Sequence, residues 1–373
     1  MKTSILLVFF FSLFITNAYS QGFGREDANI NPSWEFYSTN TLSAVSSGMG
    51  NTGVAFTGNI SSVVLNPASL DIKNNSQVYA GYTYKSSIEK NIYGMPEKIK
   101  HNLPSMVIGG VYKINKNFQS GFIYRNDYSY TLSIDHVSTE THPDADATMD
   151  FKYATHSFSV PLSFNYKCLR VGTDLNLTYY RFDSKSSPDL SELNAKADLF
   201  EFIPKIGFII TPIENFSFGA TFVPGFTDSA EYKIEGSNYN SKSVVKYPNR
   251  IGVGTSLRLL NNKLLLALDY EYSGNSKLRF QKDMNNVNFG AEYEINNEWK
   301  IRGGFYTLLD FRADDSYVSY LDKLGDYDLY FITLGGTYKY KNNSFNLALN
   351  DSGLLSNSPM KSIKLTAGIS LDF

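Results

Sequence analysis

The side chains best suited to acid, base or metal chemistry are few and scattered. Four histidines occur, His101, His136, His142 and His156, and none belongs to a His-Glu-x-x-His pair or accompanies a Gly-x-Ser-x-Gly elbow. Without those spacings there is no metal-bound water to deprotonate and no seryl nucleophile to activate, so the sequence does not read as an enzyme. His136, His142, Asp144, Asp146 and Asp150 crowd one stretch, where carboxylate oxygens could hold Ca²⁺. The run lacks the Gly and Glu positions of an EF-hand loop and reads as a solvated polar loop, as does the run with Asp310, Asp314 and Asp315. Neither a metal nor a cofactor is expected. Asp269, Glu271, Lys300 and Arg302 fall at alternate positions of strand-like runs, which suits cross-strand pairing within a polar lining.

The elements that would carry these groups are β-strands. In Leu264-Leu265-Leu266-Ala267-Leu268-Asp269-Tyr270-Glu271-Tyr272 the even positions are all Leu or Tyr, and the odd ones drift to acid. Val171, Thr173, Leu175, Leu177 and Tyr179 alternate likewise with Gly172, Asp174, Asn176 and Thr178. So do Ile363, Leu365, Ala367, Ile369, Leu371 and Phe373 with Ser362, Lys364, Thr366, Gly368, Ser370 and Asp372. One face for lipid and one for water produces this pattern, although a soluble sandwich alternates too.

Loop lengths discriminate further. Short turns are expected at Asn115-Lys116, Lys167-Cys168, Pro212-Ile213, Asn261-Asn262, Asn296-Asn297 and Lys341-Asn342. Longer polar connections are expected near residues 87 to 102, 131 to 150, 184 to 195, 224 to 242, 279 to 283, 312 to 327 and 351 to 360. Short periplasmic turns against long outer loops are the asymmetry of an outer-membrane barrel, here of about fourteen strands. Tyr128 and Tyr130, Tyr270 and Tyr272, and Tyr338 and Tyr340 sit where interfacial girdles belong.

The termini fit that compartment. Lys2 precedes an apolar stretch from Ile5 to Ile15 and the exit Asn17-Ala18-Tyr19-Ser20, so residues 1–20 read as a secretory signal peptide cut before Gln21. Residues 21–70 are polar, small and Gly-punctuated, without a sustained period, and residues 71–373 carry the strands. The terminal Phe373, on the apolar side of its strand, resembles the signal by which barrel-assembly machinery recognises its clients. Composition agrees: 27 Tyr, 27 Phe and 27 Gly with a mean hydropathy of -0.24 suit a wall that is apolar on one face only. A net charge of -2 offers nucleic acid no basic footprint, and the lone Cys168 cannot form an internal disulfide.

Two elements at the start of the mature chain carry a resemblance. Ser47-Gly48-Met49-Gly50-Asn51-Thr52-Gly53-Val54-Ala55-Phe56, followed by Asn59 through Leu70 with Asn66-Pro67-Ala68-Ser69-Leu70, resembles the N-terminal signature of the FadL/TodX outer-membrane transport family. Tyr247-Pro248-Asn249-Arg250-Ile251-Gly252, Asn288-Phe289-Gly290-Ala291-Glu292-Tyr293 and Trp299-Lys300-Ile301-Arg302-Gly303-Gly304 look like later strands of that family. The resemblance implies a fourteen-stranded barrel plugged by an N-terminal hatch at 21–70, with Gly48, Met49, Gly50, Gly53, Asn66, Pro67 and Ala68 forming the hatch motif. It also implies passive uptake of a hydrophobic small molecule, such as a long-chain fatty acid or an aromatic hydrocarbon, by a monomer set among outer-membrane lipid and lipopolysaccharide. Exit would be through a gap in the barrel wall. The chain departs from the family's fatty acid transporters in Asn31-Pro32-Ser33-Trp34, in Ser69 and in its shorter outer loops, so fatty acid specificity does not carry over. PorV-like proteins of the same broad superfamily, components of a protein secretion system that bind protein cargo, are the alternative.

Overall fold

The computed structural model describes residues 43–57, 60–72, 74–89, 99–137, 147–186, 195–234, 240–274, 282–310, 328–358 and 360–373. The expected signal peptide, Asn31-Pro32-Ser33-Trp34, residues 138–146 of the 131–150 connection (with His142, Asp144 and Asp146) and the whole 312–327 connection (with Asp314 and Asp315) lie outside these residues.

Seventeen antiparallel segments form one sheet. β1 (Ser76–Glu89), β2 (Ile99–Lys113), β3 (Phe118–Val137), β4 (Ala147–Tyr166) and β5 (Leu169–Ser186) pair in sequence order. β6 (Ala195–Phe202) and β7 (Lys205–Ile213) are halves of one stave, because both pair with β5 in the same register on either side of Ile203-Pro204. β8 (Phe216–Val223) and β9 (Phe226–Ile234) divide at Pro224-Gly225, and β10 (Asn240–Tyr247) and β11 (Arg250–Leu259) at Pro248-Asn249. β12 (Leu264–Ser273), β13 (Met284–Glu294), β14 (Trp299–Leu308), β15 (Leu329–Tyr340), β16 (Asn343–Asp351) and β17 (Met360–Asp372) complete the wall. The seventeen segments are therefore fourteen staves, and β17 zips along β1 from Gln77↔Asp372 to Glu89↔Met360 to close the barrel. Proline explains the three interruptions, since it brings no N–H to a ladder.

The alternation resolves into two faces. Ile108, Phe122, Phe158, Leu175, Leu268 and Leu347 are exposed on the outside, while Asn176, Asp269, Thr333, Asn350, Lys364 and Thr366 are buried on the inside. An apolar belt of this extent is costly in water and favourable in lipid, and a closed wall leaves no backbone edge for lipid to meet. Ends are pinned as well: Phe373 N donates to Ser76 O at 2.9 Å, and Phe373 O accepts from Asn75 N at 3.1 Å and Ser76 N at 3.2 Å.

Several expected connections shift. The turn expected at Pro212-Ile213 is at Glu214-Asn215, because β7 runs through Pro212 to Ile213. The stretch 224 to 242 was expected as a loop, but most of it is β9 and the start of β10; its Pro and Gly interrupt a stave instead of ending it. β3 and β4 likewise extend past residue 131 and before 150. His156, expected beside an outer loop, sits within β4 and shares a hydrogen bond of 2.8 Å between its Nδ1 and the Tyr124 hydroxyl.

Candidate functional site

Residues 43–57 and 60–72 lie inside the barrel. A helical turn, α1 (Ala44–Gly48), is capped by the Ser43 hydroxyl, which accepts from Ser46 N at 3.1 Å. Two 3₁₀ turns follow at Ile60–Val64 and Pro67–Ser69. So short a chain, with almost no repeating backbone hydrogen bonds, must find partners elsewhere. It finds them on the wall.

The partners run round much of the circumference. Ser47 Oγ donates to Asn350 Oδ1 at 2.7 Å, and Asn350 Nδ2 donates to Ser47 O at 2.9 Å, both on β16. On β15, Thr333 Oγ1 donates to Gly48 O and accepts from Gly50 N, each at 3.0 Å. On β12, Asp269 Oδ2 accepts from Gly53 N at 2.7 Å and Val54 N at 3.0 Å. Ser256 on β11 donates to Ala55 O at 3.2 Å. Lys205 on β7 donates through Nζ to Val64 O, and Arg170 on β5 pairs with Asp71 at 2.9 Å. Gln119 on β3 accepts from Ile72 N at 3.0 Å, and Gln77 on β1 accepts from Ile60 N at 3.2 Å.

Glycines set the distance of closest approach. Gly50 has φ +61, and a Cβ there would lie 2.2 Å from Phe289 O and 2.6 Å from Phe305 N. On the wall, an added Cβ at Gly290 would fall 2.2 Å from Met49 O, and one at Gly304 would fall 2.4 Å from Gly50 N. Backbone thus lies directly on backbone. Apolar contacts fill the rest: Ile60, Val63, Leu70 and Ile72 pack with Tyr79, Val107, Val111 and Ile123, and Val45, Met49 and Phe56 pack with Leu265 and Ala267. Each such side chain contributes roughly 1.5–3 kcal/mol on full burial.

The residues singled out from the sequence meet in this segment. Gly48 touches Gly335 on β15, and an added Cβ on Gly53 would meet Leu65 at 2.3 Å. Asn66 caps the second 3₁₀ turn, its Oδ1 accepting from Ala68 N at 2.9 Å, while its Nδ2 donates to Val54 O at 2.6 Å and Phe208 O at 3.3 Å. Pro67 lies against Gly172, where a Cβ would come within 2.4 Å of the Pro67 carbonyl carbon. Phe373 is remote from them, exposed at the barrel end.

Sequence reasoning missed the wall half of the site. Asp269 faces inward as alternation predicts and in addition holds the inner segment, while Asn350, Thr333, Gln77 and Gln119 carry no local sequence signal for that role. Inward glycines at strand positions, such as Gly172, Gly290 and Gly304, were the available signal, since Gly within a strand marks close backbone approach. Lys300 and Arg302 do pair, but with Glu292 rather than Asp269: Lys300 Nζ lies 2.8 Å from Oε1 and Arg302 Nη2 lies 2.7 Å from Oε2. Asp310 is buried, with its N–H donating to Asp328 Oδ1 at 2.6 Å, so it is not part of a freely solvated loop. Among the described residues no group of His, Cys, Asp and Glu is placed to hold a metal ion.

Concavities differ by face. One of about 1100 Å³ lies outside, flanked by Tyr82, Ile108, Trp299, Leu334, Leu347 and Leu365, and belongs to the apolar belt. A small one of about 40 Å³ lies between inner segment and wall, lined by Asn51, Val54, Leu65, Lys205, Thr221 and Asp269 among others.

No family model matches the sequence, and no curated protein matches it. Solved structures do. The Ralstonia pickettii toluene transporter TbuX is similar with a TM-score of 0.61 at 16% identity, over 90% of this chain and 100% of that one. A Pseudomonas aeruginosa FadL homologue gives 0.65 at 13% identity, over 89% and 98%. The Pseudomonas putida toluene transporter TodX gives 0.61 at 13% identity, over 88% and 97%. The chain accordingly has the fold of the FadL/TodX barrels.

Proposed function

We propose that the chain spans a bacterial outer membrane and admits hydrophobic small molecules by passive, binding-driven diffusion, with residues 21–70 as a plug and 71–373 as the barrel. The observation that carries this reading is an inner segment bonded to the wall from β1 round to β16, within a barrel whose outside is apolar. A water-filled pore gives an apolar molecule no favourable environment, whereas an apolar surface inside a closed lumen gains about 25 cal/mol per Å² buried. Neighbours of the same fold are by name transporters of toluene, which supports a monoaromatic or similarly apolar substrate.

The same reading makes residues 1–20 a leader removed on export, Phe373 the feature read by barrel-assembly machinery, and lipid and lipopolysaccharide the surroundings of a monomer. It gives the chain no reaction to catalyse.

Uptake of radiolabelled toluene and oleate by cells that lack their own transporter, with and without this protein, tests the proposal, together with native mass spectrometry of the purified barrel. Faster uptake of either probe, or a defined apolar ligand retained after delipidation, is the expected result. A folded barrel that speeds neither probe and retains only protein partners would overturn it in favour of the secretion reading.

A further inference from the structure

Along β4 and β5 the outward side chains change character in a fixed order. From Leu169 through Val171 and Leu175 to Leu177 they are apolar except at Thr173, and Phe164, Leu162, Val160 and Phe158 match them on β4. Ladder pairing then lines up three rows across β4, β5 and β6: His156, Tyr179 and Phe200; Ala154, Arg181 and Asp198; Lys152, Asp183 and Lys196. From Leu169 to Tyr179 a strand rises roughly 33 Å, or about 25 Å along the membrane normal at a 40° tilt, which is the height of the apolar band of an outer-membrane barrel. The first row therefore lies at headgroup level, on the rim away from the short Lys167-Cys168 turn, and the other two rise beyond the hydrocarbon.

The first row is aromatic across four staves. Ring centroids of Tyr124 and His156, and of His156 and Tyr179, lie 6.2 Å apart, and those of Tyr179 and Phe200 lie 4.7 Å apart. The Tyr124 hydroxyl shares its 2.8 Å hydrogen bond with His156 Nδ1, and the Tyr179 hydroxyl donates to Asp198 Oδ1 at 2.6 Å, so the rings are held in place. Above them Lys152, Arg181, Lys185 and Lys196 are all exposed. The carboxylates among them are already engaged or covered: Asp198 by Tyr179, and Asp183, whose side chain is 13% exposed, by Arg181 at 3.9 Å. Asp150 stands opposite Lys185, while Lys152 and Lys196 flank Asp183 on neighbouring staves and make no ion pair among the described residues.

The far side of the barrel differs. Its outward rim carries Asp283 and Asp351, with Asp283 accepting from the Tyr272 hydroxyl at 2.7 Å. Of the cations there, Lys361 donates to Ser356 O and Lys282 is also engaged. An aromatic girdle alone suits any bilayer. Spare cations directly above one suit something narrower: a lipid that carries phosphate on sugar. A guanidinium matches a phosphate in a bidentate fork, and the negative face of an aromatic ring attracts the C–H face of a sugar.

We propose that the outward face of β4, β5 and β6 binds one phosphorylated glycolipid of the outer leaflet, with its phosphates on Lys152, Arg181 and Lys196 and its sugar rings over His156, Tyr179 and Phe200. Bulk lipid would touch every arc alike, whereas among the described residues this combination occurs on one. The site rests on the outer-membrane placement and is independent of what the lumen carries.

Binding of fluorescent bis-phosphorylated lipid A to the folded full-length barrel in detergent tests the site. The original protein is compared with a Lys152→Gln/Arg181→Gln/Lys196→Gln variant and with Lys282→Gln; all four positions are exposed, and strand content by circular dichroism checks each fold. A basic side chain near an anionic lipid strengthens binding roughly fivefold. The expected result is binding at least tenfold weaker in the triple variant and unchanged in Lys282→Gln, with dephosphorylated lipid A and phosphatidylglycerol both bound more weakly than lipid A by the original. Should the triple variant fold poorly, Arg181→Gln alone is expected to weaken binding about fivefold. Equal binding by folded variant and original overturns the site. Phosphatidylglycerol bound as tightly as lipid A also overturns it, leaving a general anionic-lipid surface. Cell fractionation separates these failures from failure of the premise, since a barrel found outside the outer membrane would remove the placement itself, whatever lipid A does in detergent.

Discussion

Gly254 and Asp269 face each other across β11 and β12, and the absent side chain of the first makes room for the carboxylate of the second. A Cβ on Gly254 would lie 2.0 Å from Asp269 Oδ1, while Oδ2 of the same carboxylate holds Gly53 N and Val54 N. Asp269→Ala would leave two buried N–H groups without acceptors, at about 1–3 kcal/mol each. The fourteen staves keep their ladders, so the barrel should still fold. The expected outcome is a several-fold rise in ion conductance in planar bilayers, and Gly254→Val should act in the same direction by displacing the carboxylate. Conductance equal to that of the unmodified barrel in both variants would mean that Asp269 does not seat the inner segment.

Neighbouring glycines on β14 offer a matched pair. An added Cβ at Gly304 would meet Gly50 N at 2.4 Å and Met49 C at 2.6 Å, whereas one at Gly303 would meet only Thr333 O at 3.8 Å. Gly304→Ala should therefore push the inner segment off the wall and lower stability by roughly 1–3 kcal/mol. Gly303→Ala should be close to neutral. Unfolding midpoints of the two refolded proteins, measured together with their conductance, check the contrast; equal midpoints would contradict the backbone-on-backbone seat.

Much of this architecture is legible in the residues themselves, and the part that is not has a physical cause. Alternation in β12 and β17 marks two faces because a side-chain period of two is local to a strand. The short turns mark most stave ends at one rim of the barrel, and Lys167, Asn261, Asn262 and Lys341 take up positive φ there. Pro224 misleads: proline ordinarily ends a strand, and here the chain resumes in register because the neighbouring β10/β11 stave holds both halves. The inner segment's own residues, Gly50 and Asn66 among them, stand out by type. Their partners Asp269, Asn350 and Thr333 do not, because which inward side chain meets a non-repeating segment depends on stagger round a closed wall and not on any local pattern.

Glu292 and Arg302 are ladder partners on β13 and β14, and both are buried. Arg302 Nε and Nη2 grip Glu292 Oε2 at 2.8 Å and 2.7 Å, with Lys300 on the other oxygen at 2.8 Å. Arg302→Met strands a buried carboxylate with one remaining cation and should cost about 3 kcal/mol. Adding Glu292→Gln should recover most of that loss, because the desolvated charge is then gone. Chemical unfolding of the three proteins in detergent distinguishes this from a simple packing defect, in which the double variant would be less stable than either single one.

Lys364 is the inward residue whose position is hardest to reconcile with stability. It is fully buried, its Nζ has no hydrogen-bond partner, and its ladder partner across the closing seam is another buried cation, Lys85. Its favourable contacts are two stacked rings, with Nζ 4.7 Å from the centroid of Phe331 and 5.2 Å from that of Tyr306. Attraction to such a ring is worth about 2 kcal/mol when desolvated, whereas an ion removed from water costs several, and like charges facing across a ladder add to that. The second effect outweighs the first. Lys364→Met, which keeps the length of the side chain and its contact with the rings, should therefore raise the unfolding midpoint, by about 1–3 kcal/mol in stability. Phe331→Leu should do the reverse, by removing the nearer of the two rings and leaving the charge. A Lys364→Met barrel less stable than the original would show that the rings, and not the neighbouring lysine, dominate the site.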